Sequence, residues 1–276
     1  MQPLQTFLHV SDLHLNDQPL VFPDPPPPWF SLRRHFDGLL GHSSGSLYRL
    51  YYFWRAQLEA RAQLIVTGDL TRVGKTAQFD MADEYFGSTL APPIADYLGF
   101  GDRDWVKRAI PGNHDHWPGL PIILGPPRSG LGKYFSHVPT HTNPPINLGS
   151  GRSLCFFWIN SDADIAYEGK SRLFAIGAFR SQLKKLDTML GSAKPNGSEI
   201  RVLCLHHSRA WRKRVLGMKK SSRRALDDFI IRHDIAVLLT GHVHDPILDS
   251  FPLGTRSGEV LEARCGTTSQ ASKGTK

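Results

Sequence analysis

Leu64-Ile65-Val66-Thr67-Gly68-Asp69-Leu70-Thr71 is the stretch that decides how this chain folds. Leu64, Ile65 and Val66 read as a short buried strand, and the glycine that follows lets the backbone turn sharply. Asp69 is left at the carboxyl end of a sheet, the edge where open α/β folds gather ligands. The same text recurs on both sides. Leu4 to Val10 is an alternating strand that leads into Asp12-Leu13-His14, and Val106 to Ile110 leads into Gly112-Asn113-His114-Asp115. Further on, Ile200 to Leu205 runs into His206-His207, and Ile235 to Leu239 into Gly241-His242-Val243-His244. Leu154 to Ile159 and a late Glu259 to Cys265 complete the strands.

Between them, apolar residues fall at helical spacing: Phe79, Ala82, Phe86 and Leu90; Phe179, Leu183, Leu186 and Leu190; Leu226, Phe229, Ile230 and His233. Tyr48 to Arg61 also predicts a helix. Strands alternating with helices point to α/β layers, in one domain over residues 1–276. Two segments interrupt the pattern. Pro19 to Pro28 must be extended, because each proline removes a donor, and it opens an insertion that runs to about His42. Ile110 to Pro145, rich in proline and glycine, predicts a loop.

The chain carries a formal charge of +8, which favours anionic partners: phosphate esters, nucleic acid or anionic lipid surfaces. No run approaches the ~18 apolar residues of a membrane helix. The first residues carry no basic stretch before an apolar one, so the cytoplasm is the expected location. Cys155, Cys204 and Cys265 form no CxxC pair, which predicts buried thiols in a reducing compartment.

Asp12 and His14 stand at i and i+2 beyond a strand, so both side chains point to one side. His242 and His244 repeat that geometry. A carboxylate such as Asp69 can bridge two cations, and the amide oxygen of Asn113 is a neutral hard ligand. Singly, Asn113 reads as a turn residue and Asp12-x-His14 as loop chemistry. Together they suffice for two ions: Asp12, His14, Asp69 and His244 for one, and Asp69, Asn113, His206 and His242 for the other. Two cations ~3.5–4 Å apart can share a hydroxide and make it acidic, which gives a nucleophile.

The ordered set DLH, GD, GNHD, HH, GHVH resembles the calcineurin-like metallophosphoesterase superfamily, from Leu4 to about Ser269. The resemblance implies a four-layer α/β/β/α sandwich of two mixed β-sheets flanked by helices, a dinuclear centre of Mn, Fe or Zn, and hydrolysis of phosphate esters. It also implies that His114 is the histidine that protonates the leaving oxygen or stabilises charge. Gly68-Asp69-Leu70-Thr71 followed by Gly74, then Asn160-Ser161-Asp162, Gly177 before Gln182-Leu183, and Cys265-Gly266-Thr267-Thr268-Ser269 look like the branch of cyclic-nucleotide and glycerophosphodiester phosphodiesterases. The branch usually carries an acidic residue where this chain has Arg72, and prolines where Ser208-Arg209 follows the paired histidines. It also implies a last strand beyond Lys276.

Arg209 to Arg224 contains Arg209, Arg212, Lys213, Arg214, Lys219, Lys220, Arg223 and Arg224 with Trp211 and no acidic residue. Such a run is ordinarily a solvated basic face. Its start two residues after His207 places part of a basic loop, about 208–224, over the pocket, where it could hold a phosphate, a base or a nucleic-acid backbone. His207, Arg209 and Arg72 are the residues expected to face the substrate. Phe22 to Phe36, with Trp29, Phe30, Arg33, Arg34 and His35, is a candidate second wall, and an apolar lid there would suit a lipid-linked phosphoester. Asp115 is expected to position its loop, while His116 and His207 equally fit supporting or exposed positions. The expected substrates are cyclic nucleotides or small phosphodiesters. A nuclease, a UDP-diacylglucosamine pyrophosphatase and a non-catalytic scaffold are the alternatives.

Overall fold

The computed structural model of the protein describes residues 5–16, 42, 44–57, 62–88, 99–116, 129–165, 175–191, 197–213 and 216–268. The proline-rich insertion apart from His42, the wall expected from Phe22 to Phe36, Arg214 and the chain after Thr268 lie outside the described residues.

Two sheets form the centre. In the first, β1 (Phe7–Val10), β2 (Gln63–Thr67) and β3 (Ala109–Ile110) lie side by side and parallel. The second is mixed. It contains β4 (Thr140–His141), β5 (Ile146–Gly149), β6 (Arg152–Trp158), β7 (Glu199–Cys204), β8 (Val237–Thr240), β9 (Ile247–Pro252) and β10 (Glu259–Arg264). Its parallel centre is β6-β7-β8-β10, with β4 and β5 antiparallel to β6 and β9 antiparallel to β10.

Alternation along the strands builds the layers. In β6, Leu154, Phe156 and Trp158 meet Ile65 of β2 and Ile110 of β3 between the sheets. Cys155 and Phe157 point the other way, toward α4 (Arg180–Leu190) and α5 (Lys220–His233). On the far side of the first sheet, Leu64 and Val66 pack against Leu47, Tyr51 and Trp54 of α1 (Ser44–Gln57) and Phe79, Ala82 and Phe86 of α2 (Thr76–Gly87). The order helices, sheet, sheet, helices is the four-layer sandwich expected from the resemblance. No helix among the described residues is long and apolar enough to cross a membrane.

Three segments differ from the sequence reading. The strand expected over Val106 to Ile110 is reduced to Ala109–Ile110 behind a 3₁₀ turn, Trp105–Arg108. The indole N–H of buried Trp105 donates to Asp83 at 3.0 Å and the Arg108 guanidinium to the Leu64 carbonyl at 3.0 Å, which draw that segment out of the sheet. The loop expected up to Pro145 contains α3 (Ser129–Phe135) and β4, because Tyr134 and Phe135 pack on Phe79 at ring distances of 5.4 and 5.9 Å. The last five residues of the expected basic loop, Lys220 to Arg224, open α5, whose Ser222, Leu226, Phe229, Ile230 and His233 are buried along one face.

Phe157 lies at the centre of the second core, wholly buried and edge-on to Phe229 at 6.5 Å. Phe157→Ala is expected to destabilise the fold by about 3–5 kcal/mol, the transfer loss plus the cavity. A shift in the urea midpoint with an unchanged slope checks this.

Candidate metal centre

All five motifs emerge where strands end. β1 and β2 run on together past their last residues, with the Asp12 N–H donating to Gly68 O and the His14 N–H to Asp69 O, both at 3.0 Å. Asp12, His14, Asp69, His242 and His244 all have φ between 51° and 78°, the left-handed region that costs a side-chain-bearing residue about 1–3 kcal/mol. Strain concentrated on these side chains is what a functional site stores.

The ligand atoms converge in overlapping groups. Asp12, His14 and His244 offer atoms within 4.8 Å of one another, and so do Asp69, His206 and His242, and His14, Asp69 and His114. In the first group, His244 Nε2 is 3.2 Å from Asp12 Oδ1 and 3.1 Å from His14 Nε2. In the second, His206 Nε2 is 3.2 Å from Asp69 Oδ2 and 3.3 Å from Asn113 Oδ1. The groups are tied together: the His242 N–H donates to Asp12 Oδ2 at 3.0 Å, and the His114 N–H to Asp69 Oδ1 at 2.8 Å.

The protonation pattern suits cations. His206 donates its Nδ1–H to Thr67 O at 2.6 Å, which leaves Nε2 toward the cluster. Burial works against charge on His206, but the carboxylates of Asp69, Asp12 and Asp162 outweigh it and raise its pKa to about 10. A proton is thus held where a metal ion would replace it. His14 is lowered to about 3 and His242 well below its ordinary value, in both cases chiefly by burial, so both rings are neutral, the form in which imidazole can coordinate a cation. His14 Nδ1 and both ring nitrogens of His242 are buried with no hydrogen-bond partner among the described residues. Orphaned buried nitrogens are costly unless something coordinates them.

The family model described as calcineurin-like phosphoesterase matches residues 5–246. The chain belongs to this family. No curated protein matches it significantly. Among solved structures, the chain is similar to a dimetal phosphatase from Danio rerio, with TM-score 0.57 and 14% identity over 98% of this chain and 90% of that one. It is also similar to a putative 5'-nucleotidase from Staphylococcus aureus, with TM-score 0.45 and 14% identity over 95% of this chain and 48% of that one. At 14% identity the likeness to the dimetal phosphatase speaks for the fold alone.

Around the cluster of this calcineurin-like phosphoesterase, support comes largely from backbone. Asp115 accepts from the N–H groups of Leu70, Thr71 and Gly112 and from the Thr71 hydroxyl at 2.8–3.2 Å, so it ties the third motif to the second. His114 donates Nδ1–H to the Arg72 carbonyl at 2.9 Å. Support for the histidine therefore comes from the main chain at the position where the branch carries an acidic side chain.

The expected substrate-facing residues fall elsewhere. His207 is wholly buried, bonded through Nδ1 to Ser161 Oγ at 2.9 Å and through Nε2 to Ala175 O at 3.1 Å, with its ring 4.2 Å from His242. It supports the cluster from beneath. Arg209 turns to Asp227 of α5, with Nε 3.0 Å from Oδ1, and lies over Phe251 at 4.3 Å. An acidic residue of α5 thus takes up its charge. Arg72 contributes its carbonyl. His116 reaches Asn160 Oδ1 at 3.1 Å.

Two glycines next to Asp69 admit no side chain. A Cβ on Gly68, whose φ is +95°, would stand 2.6 Å from His206 Nδ1, and one on Gly112 would stand 2.3 Å from Asp69 Oδ1. Gly112→Ala should displace Asp69 and lower metal affinity ~10–100-fold, the usual cost of disturbing a ligand's support. Manganese titration by calorimetry measures it.

Proposed function

We propose that this chain is a metal-dependent phosphodiesterase that acts on cyclic nucleotides or small phosphodiesters. The observation that supports the reading is Asp69 placed within reach of His14 on one side and of His206 and His242 on the other, beside imidazole nitrogens that have no hydrogen-bond partner among the described residues. Asp12, His14, Asp69 and His244 would hold one ion, and Asp69, Asn113, His206 and His242 the other. The nitrogen and oxygen donors, without a thiolate, suit Mn, Fe or Zn. Bound there, two cations supply Lewis-acid chemistry, cancelling phosphoryl charge and making water acidic enough to attack near neutral pH.

The remaining task is a proton for the departing alkoxide. His114 is the candidate. Its Nδ1 is fixed on the Arg72 carbonyl, so Nε2 carries the transferable proton, and its ring lies 4.4 Å from that of His14. Burial lowers the pKa of His114, and the Asp69 carboxylate opposes this. An anionic substrate beside the ring would further favour its charged form.

A diester is favoured over a monoester by charge. A diester carries one negative charge fewer than a monoester dianion, and the arginine nearest the paired histidines in sequence, Arg209, is already paired with Asp227 and not open to a further charge. The branch motifs around Gly74, Asn160 and Gly177 support the same choice. The exposed Arg212, Lys213, Lys220 and Arg224 support a second reading, a nuclease. The free thiols Cys155, Cys204 and Cys265 fit a cytoplasmic setting. The test is Mn²⁺-dependent hydrolysis of bis-p-nitrophenyl phosphate, p-nitrophenyl phosphate, cyclic AMP and single-stranded DNA. Faster turnover of the small diesters is expected. Preference for the monoester would overturn the assignment, and preference for DNA would replace it with the second reading.

A further inference from the structure

Glu262 and Arg264 are charged, yet they point into the protein from β10 at 0% and 5% exposure. They alternate with Leu261 and Ala263, so they continue the face that Val260 presents to the apolar core. That face turns from apolar to ionic where β7 and β8 leave the sheet and deliver three of the cluster's histidines. Glu262 accepts from the Ser208 hydroxyl at 2.6 Å and the Thr240 hydroxyl at 2.9 Å through Oε1, and from the Ala210 N–H at 2.8 Å through Oε2. Arg264 donates Nε–H to Asp245 O at 2.6 Å, Nη2 to Asp245 Oδ2 at 3.1 Å and Nη1 to Ser208 Oγ at 3.0 Å.

Ser208 is the hinge of this network. Its single hydroxyl proton goes to Glu262, and its lone pairs take Arg264 and the Trp211 N–H at 3.2 Å, so its capacity is filled. One residue earlier stands the His206-His207 pair. Thr240 immediately precedes Gly241-His242, and Asp245 immediately follows His244. The two side chains of β10 therefore grip the loop after β7 at Ser208 and Ala210, and the loop after β8 at both its ends. None of these bonds goes to a proposed ligand.

The second loop has no slack. A Cβ on Gly241 would lie 1.9 Å from Ser11 Oγ and 2.8 Å from Asp12 Oδ2, and the His242 N–H already bonds Asp12. Any movement of that loop is felt at Asp12. Buried ionic groups are seldom the most stable choice, since apolar residues of similar volume often do as well or better. Stability alone is a weak reason for a glutamate and an arginine here. Placing two loops relative to each other is a better one. The hydroxyl of Ser208 is joined to both Glu262 and Arg264.

We propose that Glu262 and Arg264 are positioning residues that lock the loop after β7 to the loop after β8, and so set the separation of His206 from His242 and His244. The inference rests on the metal-centre reading above. Its test is Mn²⁺ binding by calorimetry and the spin-coupled dimanganese signal in electron paramagnetic resonance. The proteins compared are native, Glu262→Gln, Ser208→Ala and the double variant Glu262→Met/Arg264→Met, which removes both charges at similar volume. The double variant is expected to remain folded by circular dichroism, to bind its second Mn²⁺ ~10–100-fold more weakly and to lose most of the coupled signal. Its kcat for bis-p-nitrophenyl phosphate should fall more than its KM changes. Glu262→Gln keeps an oxygen for Ser208 and Thr240 but turns its N–H₂ toward the Ala210 N–H, so it should lose part of the signal, less than the double variant. Ser208→Ala removes the shared hydroxyl without unpaired charge and should lose the signal partly, which decides the matter even if the double variant does not fold. A native coupled signal and native Mn²⁺ affinity in a folded double variant, or in Ser208→Ala, would overturn the proposal while leaving the metal centre intact. Failure of the native protein to bind a pair of ions would overturn both.

Discussion

Replacing Asp69 with asparagine is expected to lower kcat/KM for a phosphodiester at least ~10³-fold, about 4 kcal/mol of lost transition-state stabilisation. The residue belongs to two of the ligand groups, with Oδ2 3.2 Å from His206 Nε2 and Oδ1 taking the His114 N–H at 2.8 Å. Asparagine preserves shape but removes the charge. It also turns an N–H₂ toward groups that already present donors, so it cannot serve both sides. Bound manganese should fall below two ions per chain in the same preparation, while circular dichroism stays native. Turnover within tenfold of the native protein would mean that Asp69 is not the shared ligand.

His114→Ala should behave differently. Loss of a positioned proton donor costs typically ~10²–10⁴-fold, and only where the leaving group needs the proton. The expected result is a large fall in kcat for an alkyl diester and a much smaller one for bis-p-nitrophenyl phosphate, whose phenolate departs unaided, with manganese stoichiometry unchanged. Arg72→Ala is the control. Because the Arg72 carbonyl holds the His114 ring, removal of the Arg72 side chain should change kcat less than about threefold, far below the range for loss of the acid itself. Equal losses for both diesters in His114→Ala would assign the ring to holding Asp69 in place rather than to proton transfer.

Much of the architecture was legible because its signals are local. A strand that ends in Gly68-Asp69 announces itself through β-branched residues and one glycine, and the pairs Asp12/His14 and His242/His244 announce themselves by following apolar runs, although they lie beyond the strands and not in strand alternation. The structure brings these residues together with His206 and Asn113. What was illegible depends on partners far away in sequence. Trp105 shortens β3 because Asp83 takes its indole proton, and Tyr134 and Phe135 turn a proline-rich stretch into α3 because Phe79 offers a surface. Arg209, which follows the paired histidines by two residues, turns outward to Asp227. His207 resembles its neighbour in sequence, yet the opposite side of the chain carries it beneath the cluster to Ser161 and Ala175.

Glu262 and Arg264 are the sharpest case. Two charges at alternate positions of β10 ordinarily mean a solvent face, and only the neighbours Val260, Ser208 and Thr240 show that they lie inside. The left-handed backbone at Asp12, His14, Asp69, His242 and His244 was equally hidden, since aspartate and histidine adopt it more readily than most side chains but still only in a minority of cases.

The most direct measurement is an anomalous difference map from a crystal grown with excess manganese. Two peaks are predicted, one bounded by Asp12, His14 and His244, the other by Asn113, His206 and His242, with Asp69 touching both. No peak, or a single peak with Asp69 directed away from it, would contradict a paired metal centre.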